Sequence, residues 1–119
     1  MKIIAELCQN HNGSENTLHE TVHKAYLAGA THAKIQNLYS FELTKRDEFE
    51  QQNPSKFHLY RPFLSEFERL RQLDLTEEQE GNFVKYCRNL GLIPLTTVFS
   101  KYGVQRARNA GFKNIKIAS

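Results

Sequence analysis

Apolar and polar residues along this chain follow two alternating periods. Ile3 to Leu7 is a short apolar run with the residue preferences of a strand. Past it, Leu18, Val22 and Ala25 fall on one helical face, Ser14 stands where a helix cap belongs, and Gly29 where the helix would close. Ala33 to Gln36 predicts a second short strand. The stretch from Asn37 to Leu75 (37–75) is polar and irregular, an elaborated loop in which Pro62, Phe63, Phe67 and Leu70 have the spacing of one short helix. Thr76 to Gln79 forms a capping box ahead of a stripe of Phe83, Val84, Cys87 and Leu90 that stops at Gly91. Leu92 to Phe99 predicts a third strand, Ser100 to Gly111 a capped helix carrying Val104 and Ala107, and Asn114 to Ala118 a fourth strand.

Strand and helix therefore alternate from one end of the chain to the other. Parallel neighbours need long crossovers, and helices are the usual ones, so the pattern predicts an α/β fold with a parallel sheet. Side chains alternate along a strand, which puts Ile4, Glu6 and Cys8 on one face, Lys34 and Gln36 on one face, and Lys116 and Ala118 on one face. Thr97 and Ser119 hold comparable terminal positions on the third and fourth strands. Each strand thus carries a polar group near its C-terminal end, where open parallel sheets and barrels bind their ligands.

Glu6 directly follows Ile3, Ile4 and Ala5, and taking an isolated ion out of water is costly. Two accounts fit. In the structural one, Glu6, Lys34 and Lys116 neutralise one another or reach solvent at the strand ends. In the functional one they form an anion site, because lysine acts as a compact point charge suited to phosphate or carboxylate. Asn12-Gly13-Ser14 reads as turn-and-cap chemistry, and its match to a glycosylation pattern is incidental in a cytoplasmic chain. His11 could be a ligand or a base, although a lone histidine is more often a hydrogen-bonded structural residue.

Composition narrows the function classes. The 119 residues allow one domain with a real core, and 39% hydrophobic against 24% charged residues is the balance of a globular chain. A net charge of +3 from 16 basic and 13 acidic residues is scattered rather than clustered, which argues against nucleic acid. No apolar run is long enough for a signal peptide or a membrane span. Cys8 and Cys87 are far apart and outside any close Cys/His pair, so neither a zinc site nor a disulfide framework is indicated, and a reduced cytoplasm is expected.

The segments AELCQNHNGS, AKIQ, LTTVFS and IKIAS, in this order and spacing, resemble the N-terminal part of the sialic acid synthases along essentially the whole chain. The resemblance implies a (β/α)8 TIM barrel of which residues 1–119 supply the first four strands and three helices, a half barrel. A full barrel takes about 250 residues. It implies a transferase of surface carbohydrate and polysaccharide biosynthesis that condenses phosphoenolpyruvate with N-acetylmannosamine or a related N-acylated amino sugar to give N-acetylneuraminate or a similar acid. C3 of phosphoenolpyruvate attacks the open-chain aldehyde, water adds at C2, and phosphate leaves. Matched position by position, Glu6, Lys34 and Lys116 fall on the family's catalytic residues, and Gln36, Thr97, Ser119 and Asn12 on its substrate-binding ones. Val98 stands where the family commonly has proline. A divalent metal, manganese or magnesium, is expected in the full-length family, with its histidine ligands beyond this segment, and a homodimer is expected through a further domain. The chain alone is expected not to catalyse the condensation. The competing expectation is a non-catalytic binding domain for a phosphorylated metabolite, or a truncated inactive copy; another barrel enzyme handling phosphoenolpyruvate comes third.

Overall fold

The computed structural model of the chain describes residues 1–44 and 62–118. The first strand, β1 (Ile4–Cys8), leads into α1 (Glu15–Leu27), whose first turn is capped by the Ser14 hydroxyl accepting from the Thr17 amide. Next come β2 (His32–Asn37) and a short α2 (Ser40–Leu43). The stretch read as a loop then carries α3 (Phe63–Arg71), which starts behind Pro62 as the apolar spacing predicts, and its residues 45–61 lie outside the described ones. Both halves of the predicted capping box form ahead of α4 (Glu77–Asn89): the Gln79 amide donates to the Thr76 hydroxyl, and the Thr76 amide donates to the Gln79 side chain. The chain continues through β3 (Ile93–Val98), α5 (Lys101–Ala110) and β4 (Asn114–Ile117), with Gly111 in the left-handed conformation as the α5 cap.

All strand pairs are parallel, and the spatial order β1-β2-β3-β4 repeats the chain order. The three long crossover helices pack on one face. Leu18 and Val22 of α1, Phe83, Val84 and Cys87 of α4 and Ala107 of α5 share one core with Ala33, Ile35 and Val98 from the sheet. A sheet wound in one direction with its helices on a single side is the layout of a (β/α) barrel, whereas doubly wound sheets reverse direction and place helices on both faces. The other face carries Glu6, Lys34, Gln36, Leu95, Thr97 and Lys116, since residues paired across parallel strands point the same way.

Strand alternation fails at one point. The pairing Glu6 to Lys34 is followed by Cys8 to Ile35, so Leu7 is a bulge and Cys8 is not in the row its parity assigns. Leu7 turns into the core, and Cys8 takes a left-handed conformation with φ of 49°. Its sulfur nevertheless stays on the polar face, 3.9 Å from the Gln36 amide nitrogen. Among the described residues no helix is long and apolar enough to cross a membrane.

Candidate functional site

Two adjacent rows of the sheet build the polar face. In the first, the Lys34 ammonium donates to the Glu6 carboxylate, joining β1 to β2. The Lys34 side chain is only 7% exposed while that of Glu6 is 40% exposed, so the pair shields the lysine and leaves the acid facing solvent. The other carboxylate oxygen accepts the Cys8 amide at 3.2 Å, a hydrogen bond made possible by the bulge. Burial, followed by the Glu6 charge, pushes the Cys8 thiol above its ordinary range, so this sulfur is not an activated nucleophile.

The second row aligns Gln36, Thr97 and Lys116 on β2, β3 and β4, spanning about 10 Å at the usual strand spacing. Thr97 is buried, and its hydroxyl has no hydrogen-bond partner among the described residues. Leaving a buried hydroxyl unpaired costs about 1–3 kcal/mol, so this oxygen stands ready for a ligand or a water. Lys116 is exposed and makes no ion pair among the described residues. Glu6, Lys34, Gln36, Thr97 and Lys116 therefore come together on one face. Ser119 lies outside the described residues. Asn12 sits apart from the rows, in the loop after β1, with φ of 48°.

The structural account of the charges explains part of this arrangement. Glu6 and Lys34 do neutralise each other, and Lys116 does reach solvent. It leaves unexplained the Thr97 hydroxyl, which has no partner among the described residues.

His11 is held inside its own turn. It is 3% exposed, its Nδ1 accepts the Gly13 amide at 3.0 Å, and its Nε2 is buried without a hydrogen-bond partner among the described residues. Burial lowers its pKa below the ordinary 6.5. A base whose folded-state pKa is depressed contributes stability above pH 6.5 that is lost as the pH falls toward the folded value. The wild type is therefore expected to lose more stability between pH 7 and pH 5 than His11→Asn, in which an amide oxygen can still accept from Gly13. Urea unfolding at both pH values checks the difference, and equal losses would remove His11 from the account.

The described residues do not by themselves assemble a metal centre. Among the described ones, no group of three or more His, Cys, Asp or Glu side chains is placed to hold an ion. The Glu6 carboxylate is occupied by Lys34 and the Cys8 amide, the His19 ring stacks on Tyr86, and His32 bonds Thr31 at the opposite end of β2. His58 lies outside the described residues.

Sequence reasoning missed a buried polar network behind the sheet. The Tyr39 hydroxyl donates to Glu80 at 2.9 Å, and Arg106 donates to both Glu80 oxygens and to the Leu75 carbonyl. Thr96 donates to Asn37, and Asn37 donates to Tyr39, which carries the network onto the sheet. A legible signal existed: Glu80, Phe83, Val84 and Cys87 fall on one helical stripe, so Glu80 occupies a core position. The network holds the segment leaving β2 against α4 and α5, and β2 carries Lys34 and Gln36.

With this geometry in view, comparison with known proteins decides the family. The NeuB family model matches residues 21–119. The chain belongs to the NeuB family. This NeuB-family chain is 27% identical over 121 residues to the N,N'-diacetyllegionaminic acid synthase of Legionella pneumophila, a match covering 98% of the chain and 32% of that protein. Its fold is similar to N-acetylneuraminic acid (sialic acid) synthetase from Leptospira borgpetersenii, solved with citrate, with a TM-score of 0.76 at 17% identity over 97% of the chain and 35% of that structure. It is also similar to the spore coat polysaccharide biosynthesis protein spsE of Bacillus subtilis, with a TM-score of 0.64 at 25% identity over 99% of the chain and 29% of that structure. The chain spans about a third of the length of the relatives it matches.

Proposed function

We propose that this chain forms the first half of the barrel of a carbohydrate-biosynthetic synthase that joins phosphoenolpyruvate to an N-acylated amino sugar in the cytoplasm, acting as a homodimer when full length. The observation that carries the reading is the aligned row of Gln36, buried Thr97 with its hydroxyl unpaired among the described residues, and exposed Lys116, directly beside the Glu6–Lys34 pair. In the condensation a C–C bond forms between C3 of phosphoenolpyruvate and the sugar aldehyde, the oxygen of water adds at C2, and the C2–O bond to phosphate breaks. Lys116 and Lys34 hold the anionic ends, Thr97 and Gln36 supply hydrogen bonds, and Glu6 faces the sugar. Lysines on a partly enclosed face act on charge more strongly than they would in open water.

Titrating the chain with phosphoenolpyruvate by calorimetry tests this. Saturable, salt-sensitive binding is expected, weakened about tenfold or more in Lys116→Met, since a hydrogen bond to a charged group is worth about 1.5–3 kcal/mol. Lys116 is exposed, so the variant is expected to fold normally. Failure of the wild type to bind, or an unchanged affinity in the variant, would overturn the reading.

A further inference from the structure

Helix α1 carries the run His19-Glu20-Thr21-Val22-His23, the H-E-x-x-H spacing in which two histidines one helical turn apart can share a metal ion. Leu18 and Val22 of the same helix are buried, so each histidine, one position later, lies about 100° round from the core stripe. Both rings line a cavity of about 470 Å³ on the outer side of the helix layer, with Asn16, Glu20, Lys24 and Tyr86. Side chains four apart on a helix stand about 5–6 Å apart at Cβ, which lets two imidazoles reach one ion at the usual zinc–nitrogen bond of about 2.0–2.1 Å.

The first ring is already positioned. His19 stacks on Tyr86 of α4, with ring centres 4.3 Å apart and planes 19° apart, a contact that covers the ring's face and leaves the in-plane nitrogen lone pairs free. Its Nε2 is buried, has no hydrogen-bond partner among the described residues, and lies 3.9 Å from the Glu15 carboxylate. Asn82 of α4 holds that carboxylate in place, donating to it at 2.8 Å. A carboxylate on this side favours the tautomer with its proton on Nε2, which leaves the Nδ1 lone pair as the ligand. His23, on the next turn, is exposed. Lys24 on the cavity wall opposes a cation, and Glu20 offsets it.

We propose that His19 and His23 chelate one divalent transition-metal ion of the zinc type on the outer side of α1, with water filling its remaining positions. Imidazole nitrogen suits zinc, copper and nickel, whereas magnesium takes oxygen ligands. Two protein ligands fall short of the three that catalytic zinc sites use, and no hydrolytic step is assigned to the pair. Thiols offer little competition for the ion, because burial pushes Cys87 up to about 12 and raises Cys8 as well, and only a thiolate ligates. The site uses none of the residues assigned to the anion, so it stands independently of the synthase reading.

The test is a titration of the isotope-labelled chain with zinc chloride, followed by calorimetry and by the imidazole nitrogen signals, on wild type and His23→Gln. Saturable uptake of a single equivalent is expected, with the signals of His19 and His23 shifting together and ahead of those of His11, His32 and His58. His23→Gln is expected to weaken zinc tenfold or more, since loss of even an outer partner of a metal ligand costs about 10–100-fold. His23 is exposed, so the variant is expected to keep the fold, which circular dichroism verifies. Zinc is expected to raise the melting temperature of the wild type and not that of the variant, because an ion bound only by the folded state stabilises it. Magnesium at the same concentration is expected to shift neither ring. No saturable uptake, unchanged zinc affinity in His23→Gln, an equal response to magnesium, or shifts confined to the other histidines would overturn the site.

Discussion

Arg106→Leu is expected to cost about 3–5 kcal/mol of folding stability, the range found when one partner of a buried ion pair is removed. Glu80 has no exposed surface, and Arg106 donates to both of its carboxylate oxygens, at 3.3 Å from Nε and 3.0 Å from Nη2. Without the guanidinium, the carboxylate would keep only the Tyr39 hydroxyl as a donor among the described residues. The guanidinium also lies 5.0 Å from the centre of the Tyr39 ring, so packing is lost along with charge. The double variant Glu80→Leu, Arg106→Leu is expected to recover a large part of the loss, because it leaves no orphaned charge.

The same variant carries a pH signature. Burial holds the Glu80 carboxyl above the ordinary 4.5, against the opposing pull of Tyr39 and Arg106. An acid whose folded-state pKa is raised contributes stability that is complete below its unfolded pKa and is lost as the pH rises through the folded value. Removing Arg106 raises the folded value further, so the cost of Arg106→Leu is expected to be smaller at pH 4 than at pH 7. Urea unfolding of the two variants and the wild type at both pH values measures this. A cost below 1 kcal/mol on the order-of-magnitude scale for exposed pairs would show that Glu80 is not the buried partner seen here.

Gly13→Ala is the second large effect, with an expected loss of about 2–4 kcal/mol from a strained backbone and a forced displacement. Gly13 has φ of +75°, and a methyl carbon built on it would stand 2.3 Å from the Gln72 carbonyl oxygen. Backbone cannot swing aside as a long side chain can, so the loop after β1 and the end of α3 must separate. Gly29 supplies the control. It has φ of +85° and nothing within 4 Å of the same built carbon, so Gly29→Ala is expected to show only the conformational cost, about 1–2 kcal/mol. Equal losses in the two variants would mean that the contact with α3 is soft.

Much of this architecture is legible residue by residue. Thr76 and Gln79 announce the start of α4, Ser14 and Ser100 cap α1 and α5, and the stripe of Phe83, Val84 and Cys87 points into the core as its spacing requires. These are interactions within a turn or two of chain, where hydrogen-bonding options depend on immediate neighbours. The common face of Lys34, Gln36, Thr97 and Lys116 is equally legible, because strand alternation is a local geometric property and chain order here equals spatial order.

The tertiary structure decided what depends on residues far apart in sequence. The bulge at Leu7 shows only in the pairing of Glu6 with Lys34 and of Cys8 with Ile35, a register set across 28 positions of chain. The pairing of Glu80 with Arg106 and Tyr39 joins three elements, and helical periodicity can mark Glu80 as buried without saying what neutralises it. The Gly13 to Gln72 approach requires α3 to dock on the first loop. Local sequence thus determined the elements, their caps and the face each side chain takes, because those follow from backbone geometry over a few residues. Which buried polar groups meet was left to packing, because a buried charge is satisfied only by whatever partner the assembled fold brings within hydrogen-bonding distance.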